Sequence, residues 1–483
     1  MNKHNDIEQF RNNAIKLIDY IADYYKNIEE YPVKSQIKPG DIYSNFENHP
    51  PMDSRNFDEI LNDFDKKIMA GITHWQSPNF YAYFNANSSF PSLLGEILTA
   101  AIGVNVFSWE TSPAGTELEQ RVMEWLRDAI GLPNYFSGVI QDTASTATLV
   151  SLLTAREKYS NFEINKSGFS KDYKFRIYCS SEAHSSIEKD VRIAGFGSDN
   201  LIKIELNEDY SINYHFLEKQ IIDDINNGYT PLAVISAIGT TGTTAIDNIN
   251  EIGKICKKHN VWHHVDAAHL GSALLLEENR HWIDGIENCD TFVFNPHKWM
   301  FTNFDYSAYF VKDKESLTKT FDILPEYLKI NVDNVNNYKD WGIQLGRRFR
   351  ALKMWFVLNS FGIKGIKEKI KYHISLAEKF ENLLKSDSYE YLIPPKQIFQ
   401  IMAPRVANLV TFRWVADENL TEANINELNI KLVDKINATG EIFLTKTKIN
   451  NKIIIRMNIG QTYTEERHII DAFNLIYKII MEW

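Results

Sequence analysis

The alternation of apolar and polar positions divides the chain into three stretches. Near the N-terminus Ile7, Phe10, Ala14, Leu17 and Ile21 recur at helical spacing, which predicts an amphipathic helix with one packed face. The pattern stops near Tyr31-Pro32, and the turn-rich segment KSQIKPGDIYSNF follows. A second helical pattern covers residues 57–72. Two such helices are too few to bury their own apolar faces, so they are expected to pack across a second copy of the chain.

From residue 88 to residue 362 the texture changes. Short runs rich in β-branched and aromatic residues, such as Phe175-Arg176-Ile177-Tyr178, Ala233-Val234-Ile235-Ser236, Val261-Trp262-His263-His264-Val265 and Thr291-Phe292-Val293-Phe294, are separated by helical patterns over 116–130, 144–158 and 248–259. Strand and helix in alternation predict an α/β fold, a mostly parallel sheet with helices on both faces. After Gly362 come a helix over 363–386, strands over 408–412 and 453–458, and a final helix over 464–483. The expected organisation is an N-terminal helical segment (1–87), a large α/β domain (88–362) and a small C-terminal α+β domain (363–483). The run NVDNVNN at 331–337 reads as a mobile loop.

Composition adds limits. A chain of 483 residues is too long for one core, and 44% hydrophobic residues are enough to fill two or three. The net charge of −11 argues against nucleic acid or an anionic membrane as partner. Cys179, Cys256 and Cys289 show no ligand or disulfide spacing, which suits a reduced, cytoplasmic chain. The polar start MNKHNDIEQFRNN lacks a secretory pattern, and no apolar run is long enough to span a bilayer.

Parallel sheets collect ligands at the C-terminal ends of their strands, and the chemically active residues cluster there. Lys298 stands in FNPHKW, after an apolar strand. Burial lowers the pKa of an amine, and a neutral amine attacks carbonyl compounds. Asp266 ends the strand before it, where a lone carboxylate is costly without a cationic partner. Thr143-Ala144-Ser145-Thr146 opens a helix whose first amides suit a phosphate, although plain N-capping accounts for the same residues. His184, in EAHSS, can stack on a flat ligand or serve as a surface histidine. Gly239-Thr240-Thr241-Gly242-Thr243-Thr244 lacks the lysine of a nucleotide loop but offers hydroxyls. His264, Asp266 and His269 also suggest a metal, but His269 lies beyond the turn and no further ligand has diagnostic spacing, so no metal is expected. An amine, a carboxylate for a cationic ring nitrogen, a phosphate cradle and a stacking imidazole are together what pyridoxal 5'-phosphate requires.

In this order the segments FYAYFNANSSFPSLLGEIL, FSWETSPAGTELE, VIQDTASTATL, EAHSS, HVDAAHLGSA, FNPHKW, NFDYSA and LGRRFRALKMW resemble the group II pyridoxal-phosphate-dependent amino-acid decarboxylases, most closely the aromatic L-amino acid decarboxylases. The resemblance implies a fold-type I homodimer with its active site at the subunit interface. It implies that Lys298 carries the cofactor as a Schiff base and that Asp266 holds the ring nitrogen. His184 and Ala268 then pack on the two ring faces, Thr241 sits at the ring edge, and Ala144, Ser145 and Asn295 bind the phosphate, with His297 close by. Tyr327, in LPEYLKI, matches the loop tyrosine tied to reprotonation. The substrate side chain is expected among Trp75, Tyr83, Phe84, Asn85, Ala86, Asn105 and Phe107. Such a pocket suits a flat aromatic group, with Asn85 and Asn105 facing a ring hydroxyl or indole N–H. No added arginine is seen for a side-chain carboxylate.

The implied reaction is decarboxylation of an aromatic L-amino acid to its amine. The alternative is an aromatic aldehyde synthase, and retention of both Tyr327 and His184 favours the amine. Four residues depart from the family pattern: Asp142 where glycine is usual, His269, Thr291 and Gly115. Asp142 places a carboxylate beside the expected phosphate.

Overall fold

The computed structural model describes residues 3–170, 172–323, 335–386, 399–417 and 419–483. Tyr327 and residues 331–334 of the Asn-rich run lie outside the described residues. The chain forms two compact units. One comprises Met1–Asn85, Lys379–Gln400 and Phe412–Trp483, the other Ala86–Glu378 and Ile401–Thr411. In the first, the two N-terminal patterns become α1 (Lys3–Lys26) and α2 (Phe57–Asp63). A capping box starts α2: Asn56 Oδ1 accepts the Glu59 N–H at 2.9 Å, and the Glu59 carboxylate accepts the Asn56 N–H at 3.2 Å. A π turn and a 3-10 turn carry the chain on to Gly71, which is why the apolar periodicity outruns the helix. Leu17, Tyr20, Ile21, Phe57, Leu61 and Phe64 line an apolar cavity of about 460 Å³ between them. Nearer the start of α1 the same apolar stripe stays exposed, Phe10 at 70%, and so does Ile15 on the opposite face, at 55%.

The second unit is built on a seven-stranded sheet: β1 (Ser137–Gln141), β2 (Phe175–Ser180), β3 (Leu201–Ile204), β4 (Thr230–Ala237), β5 (Trp262–Asp266), β6 (Thr291–Phe294) and β7 (Ser307–Val311), in the order β1-β7-β6-β5-β4-β2-β3. Strands β3, β2, β4, β5 and β6 run parallel, and β7 is antiparallel to both β6 and β1. The helices of this unit are α3 (Phe90–Ile102), α4 (Pro113–Ala129), α5 (Ala144–Tyr159), α6 (Glu163–Ser167), α7 (Ser186–Ile193), α8 (Tyr214–Asn226), α9 (Ile249–His259), α10 (Pro296–Trp299), α11 (Lys314–Phe321) and α12 (Arg350–Lys385), the last broken at Gly362 (φ 62°, ψ 164°) and running on into the first unit.

Side chains of successive strand residues point to opposite faces, and the cores follow that rule. Ile177 and Ile235 join Leu149 and Leu152 of α5 and Ile187 and Val191 of α7. Their neighbours Tyr178 and Val234 join Leu217 and Ile221 of α8 and Ile252 of α9. A strand buried on both sides needs a continuous apolar run, and β4 is buried at every position but its ends.

The small sheet has the order β10-β11-β9-β8, from β8 (Phe399–Ile401), β9 (Leu409–Trp414), β10 (Thr445–Ile449) and β11 (Lys452–Asn458). Asn450 and Asn451, both at positive φ (48° and 64°), turn β10 into β11. Such a tight hairpin needs two left-handed residues, and asparagine tolerates that conformation. Alongside are α13 (Glu422–Thr439) and α14 (Glu466–Met481). Ile469, Ala472, Phe473, Ile476 and Ile480 form the buried stripe of α14.

Candidate active site

Burial along β5 ends at Asp266. The chain turns there, and the Ala268 N–H donates to Asp266 Oδ1 at 3.0 Å. The next strand, β6, is followed by Asn295, whose N–H donates to the Ala268 carbonyl at 3.0 Å, and the Lys298 N–H donates to the Asn295 carbonyl at 2.9 Å. Two loops from adjacent strands are thereby stitched together. The Lys298 loop is also gripped from the start of α3. The Asn87 side chain donates to the Lys298 carbonyl at 2.6 Å, the Asn87 N–H to the His297 carbonyl at 2.9 Å, and Ser89 Oγ to the Phe301 carbonyl at 2.7 Å. Lys298 is partly exposed between buried His297 and buried Trp299.

His184 lies just past the C-terminal end of β2. Its Nδ1 accepts the Ser186 N–H at 3.2 Å, so the neutral ring carries its proton on Nε2. The ring surface is open, yet desolvation by the surrounding protein lowers its pKa; Asp266 pulls it up and Lys298 pushes it down. His184 therefore lies within electrostatic reach of both Asp266 and Lys298. His297 is buried, and its Nδ1 accepts the Tyr306 N–H at 2.9 Å. Burial, then the charge of Lys298, push its pKa down to about 3.

Ala144 and Ser145 form the first turn of α5. Thr143 caps that helix, its Oγ1 accepting the Thr146 N–H at 3.3 Å. Asp142 Oδ1 accepts the Thr143 N–H at 2.6 Å. Ser307 Oγ donates to Asn295 Oδ1 at 2.6 Å and lies 3.4 Å from the Asp142 carbonyl oxygen, which links the start of α5 to the Lys298 loop. In the threonine turn Thr240 is the organiser: its Oγ1 lies 3.1 Å from Thr243 Oγ1 and accepts the Ala245 N–H at 3.1 Å. Thr241 stays partly exposed. The Ile238 N–H donates to the Asp266 carbonyl at 2.9 Å and sets this turn beside β5.

The two histidines of the metal motif have separate duties. His264 is buried with its ring nitrogens 3.1 Å from Thr148 Oγ1 and 2.8 Å from Thr291 Oγ1. His269 stacks on Trp299 and bonds Asn408 Oδ1 through Nε2 at 2.9 Å. Thr291, one of the four departures, also bonds Ser151 at 2.7 Å and so belongs to the polar core.

The residues expected around the substrate divide between the units. In the first, Trp75 stacks on Phe80 (centroids 4.4 Å apart) and on Tyr83 (5.6 Å). Arg456 lies 5.1 Å above Phe84. Asn85 is 1% exposed; its Nδ2 donates to the Phe80 carbonyl at 2.9 Å, and its Oδ1 accepts from Asn458 at 2.6 Å. In the second, Ala86 and Phe107 are partly exposed, and exposed Asn105 accepts the Arg347 N–H at 2.8 Å. Residues passed over in the sequence include Asn87, Ser89 and Ser307, which hold the Lys298 loop. The polar run NANSS ahead of an apolar helix was the available signal for the first two.

The donor set fits pyridoxal phosphate. Asp266, partly exposed at a strand end, makes no ion pair among the described residues. A lysine amine, an imidazole and the first turn of a sixteen-residue helix stand on the same edge of the sheet. These features define a pyridoxal-phosphate enzyme of fold-type I. Residues 39–414 match the pyridoxal-dependent decarboxylase conserved domain, and the chain belongs to that family. It is 41% identical to tyrosine decarboxylase 2 of Narcissus pseudonarcissus, covering 97% of this chain and 93% of that protein. It is 40% identical to phenylacetaldehyde synthase of Arabidopsis thaliana, over 98% and 96%. The structure of Oryza sativa TDC with PLP and tryptamine superposes with a TM-score of 0.94 at 32% identity, over 98% of each chain.

Proposed function

We propose that this enzyme decarboxylates an aromatic L-amino acid, tryptophan, phenylalanine, tyrosine or a hydroxylated relative, to the corresponding amine and carbon dioxide. The observation that carries the reading is the placing of His184, Asp266 and Lys298 just past the C-terminal ends of β2, β5 and β6, with the Asp266 and Lys298 loops bonded together through Ala268 and Asn295. The similarity to plant decarboxylases of tyrosine and tryptophan supports the substrate class.

Bound pyridoxal phosphate supplies an electron sink for the bond to the departing carboxylate. Lys298 Nζ offers the amine that would hold the cofactor. Asp266 keeps a proton on the ring nitrogen. His184 and Ala268 would hold the ring between them, with Thr241 beside it. Ala144, Ser145 and Asn295 bind the phosphate through the start of α5 and the Lys298 loop, and neutral His297 adds an N–H donor without adding charge. Tyr327 returns a proton to the α-carbon. Trp75, Tyr83, Phe84, Ala86 and Phe107 would orient the aromatic side chain; of the two amides expected beside it, exposed Asn105 would meet the substrate and Asn85 would hold its own loop; choosing which bond breaks is a matter of such positioning.

The similarity to a phenylacetaldehyde synthase favours a second reading, decarboxylation with oxidative deamination to an aldehyde. Incubating the loaded enzyme with a panel of L-amino acids separates the two. Equal amine and carbon dioxide, lost in Lys298→Ala, support the decarboxylase; ammonia with oxygen uptake supports the synthase; no turnover on any aromatic acid rejects both.

The working form is a homodimer, a reading supported by the apolar residues that α1 leaves exposed; sedimentation of a monomer would overturn it. A cytoplasmic location is supported by three unpaired, buried cysteines. Among the described residues no helix is long and apolar enough to cross a membrane.

A further inference from the structure

Trp262, His264 and Asp266 alternate onto one face of β5, and that face meets α5. Trp262 Nε1 donates to Ser151 Oγ at 2.9 Å. His264 Nε2 lies 3.1 Å from Thr148 Oγ1, about one helical turn nearer the start of α5. Two strand residues rise ~6.6 Å and one helical turn ~5.4 Å, so the next step of this antiparallel series sets Asp266 level with Ala144 and Ser145. Thr291 ties the two steps together. It is the register partner of His264 on β6, and its Oγ1 lies 2.8 Å from His264 Nδ1 and 2.7 Å from Ser151 Oγ. Thr148, Ser151, His264 and Thr291 are at most 1% exposed. An indole N–H can only donate. From it each group accepts one bond and donates the next: Ser151 to Thr291, Thr291 to His264 Nδ1, and the His264 Nε2–H to Thr148. Burial keeps the ring neutral, as that order requires. A fully satisfied buried row is rigid. Filling the layer does not call for it, since apolar groups of the same shape pack there with nothing polar to satisfy.

We propose that His264 is a positioning residue for the cofactor: held between Thr148 and Thr291, it fixes the spacing between Asp266 and the first turn of α5, and with it the spacing between the ring-nitrogen and phosphate sites. The inference rests on the reading of Asp266 and of Ala144 and Ser145 as the two ends of the cofactor site. Both ring nitrogens of His264 are committed to threonines, so it acts through the strand and helix that carry those ends. A rigid ligand with two binding groups gains its full affinity only when both sites stand at its own length.

The test uses the full chain, stripped of cofactor and titrated by fluorescence with pyridoxal phosphate and with pyridoxal, which has the ring and lacks the phosphate. T148V removes the hydroxyl at nearly constant volume. It is expected to weaken pyridoxal phosphate about tenfold and pyridoxal less than about twofold, because only the two-ended ligand senses the spacing. T148S, which keeps the hydroxyl, should restore the wild-type ratio. H264N, whose shorter amide reaches Thr291 and not Thr148, reads the same link from the strand should T148V fold poorly. A lower Tm with the two affinities unchanged or falling in step overturns the proposal, and the row is then core packing only. D266N separates the two levels. If wild type prefers pyridoxal phosphate and D266N weakens both ligands while T148V and H264N keep the ratio, only this inference fails. If wild type binds both ligands equally, or D266N binds both as wild type does, the reading of the two ends fails and this inference with it.

Discussion

The main-chain N–H of Tyr306 donates to Nδ1 of His297 at 2.9 Å, so the neutral imidazole carries its proton on Nε2. With a pKa pushed down to about 3, the ring stays neutral beside Lys298 and offers a single donor. A hydrogen bond to a charged group contributes ~1.5–3 kcal/mol. H297F is therefore expected to weaken binding of pyridoxal phosphate about tenfold or more, and H297N, which keeps an amide donor, less. Fluorescence titration of the cofactor-free protein measures both. Equal affinities in the three proteins would mean that Nε2 serves no bound group.

Stability of the cofactor-free protein is expected to peak between about pH 6 and about pH 7. Burial holds His263, His264 and His297 at about 3, below the unfolded value of 6.5. Their contribution is present above that value and is lost as pH falls. Burial raises Asp190 and Asp247 to about 7, so their contribution is present at low pH and is lost as pH rises through 7. Below about pH 6.5 the depressed imidazoles oppose the raised carboxyls; among the groups moved furthest the imidazoles are the more numerous, so stability is expected to fall on acidification. Between about pH 6.5 and about pH 7 the raised carboxyls dominate, and stability falls as pH rises until they are fully ionised. Urea midpoints across a pH series check the shape, and D247N should flatten the alkaline side. A curve that climbs steadily through pH 8 would contradict the balance.

Asn85 has both ends of its amide committed, to the Phe80 carbonyl and to Asn458. N85A removes the buried hydrogen bonds to the Phe80 carbonyl and to Asn458 and is expected to cost ~1–3 kcal/mol, read as a lower Tm. The ratio of kcat/KM among tryptophan, tyrosine and phenylalanine should change little. N105L is expected to behave the other way, because Asn105 is exposed and among the described residues only its Oδ1 is engaged, by the Arg347 N–H. A shift of preference in N85A at unchanged Tm would show that its amide meets the substrate after all.

These amides mark where sequence reading runs out. Asn85 and Asn105 read as polar points in an aromatic pocket, but their partners are 373 and 242 residues away in the chain, and no local pattern encodes them. The strand ends were legible for a local reason. Apolar runs such as Thr291–Phe294 match β6 residue for residue, and the charged or amide residue that ends each run is where a two-sided sheet opens. Strand β7 was less so, because SAYFV follows an aromatic stretch that masks its alternation and its antiparallel sense is set by pairing with β1 and β6. Asp190 was readable in principle. A carboxyl spaced three residues after Ile187 and just before Val191 interrupts an apolar stripe, but only the fold shows that the stripe is buried.

Arg347 and Glu119 form a buried ion pair at 2.6 Å, with side chains 7% and 1% exposed. The guanidinium also donates to the Ile140 carbonyl at 2.8 Å, and Glu119 accepts the Ile140 N–H at 2.9 Å. The main chain of Arg347 holds Asn105 and Val106 as well. R347M strands a buried carboxylate and is expected to cost ~3–5 kcal/mol. Removing both charges in E119L/R347M should recover much of that loss, since an apolar pair of similar volume replaces a buried salt bridge well. Thermal unfolding of the single and double variants decides it; a double variant no more stable than R347M would assign the loss to the hydrogen bonds at Ile140.

Asp142 sets its carboxylate against the Thr143 N–H at 2.6 Å, one residue before α5, with Gln344 3.5 Å from its other oxygen. The first turn of α5 is where the cofactor phosphate is proposed to sit, and helix N-termini favour anions there. A second negative charge at that place weakens phosphate binding by Coulomb repulsion, ~1–2 kcal/mol over several ångströms at a partly screened site. D142N, which keeps the acceptor and removes the charge, is expected to bind pyridoxal phosphate roughly 5- to 30-fold more tightly. The difference from wild type should shrink as salt is added. D142G removes charge and acceptor together. If D142N binds tightly and D142G no better than wild type, the grip on the Thr143 N–H shapes the first turn that receives the phosphate. If neither variant gains affinity, the carboxylate points away from the phosphate and its charge is without effect on the cofactor.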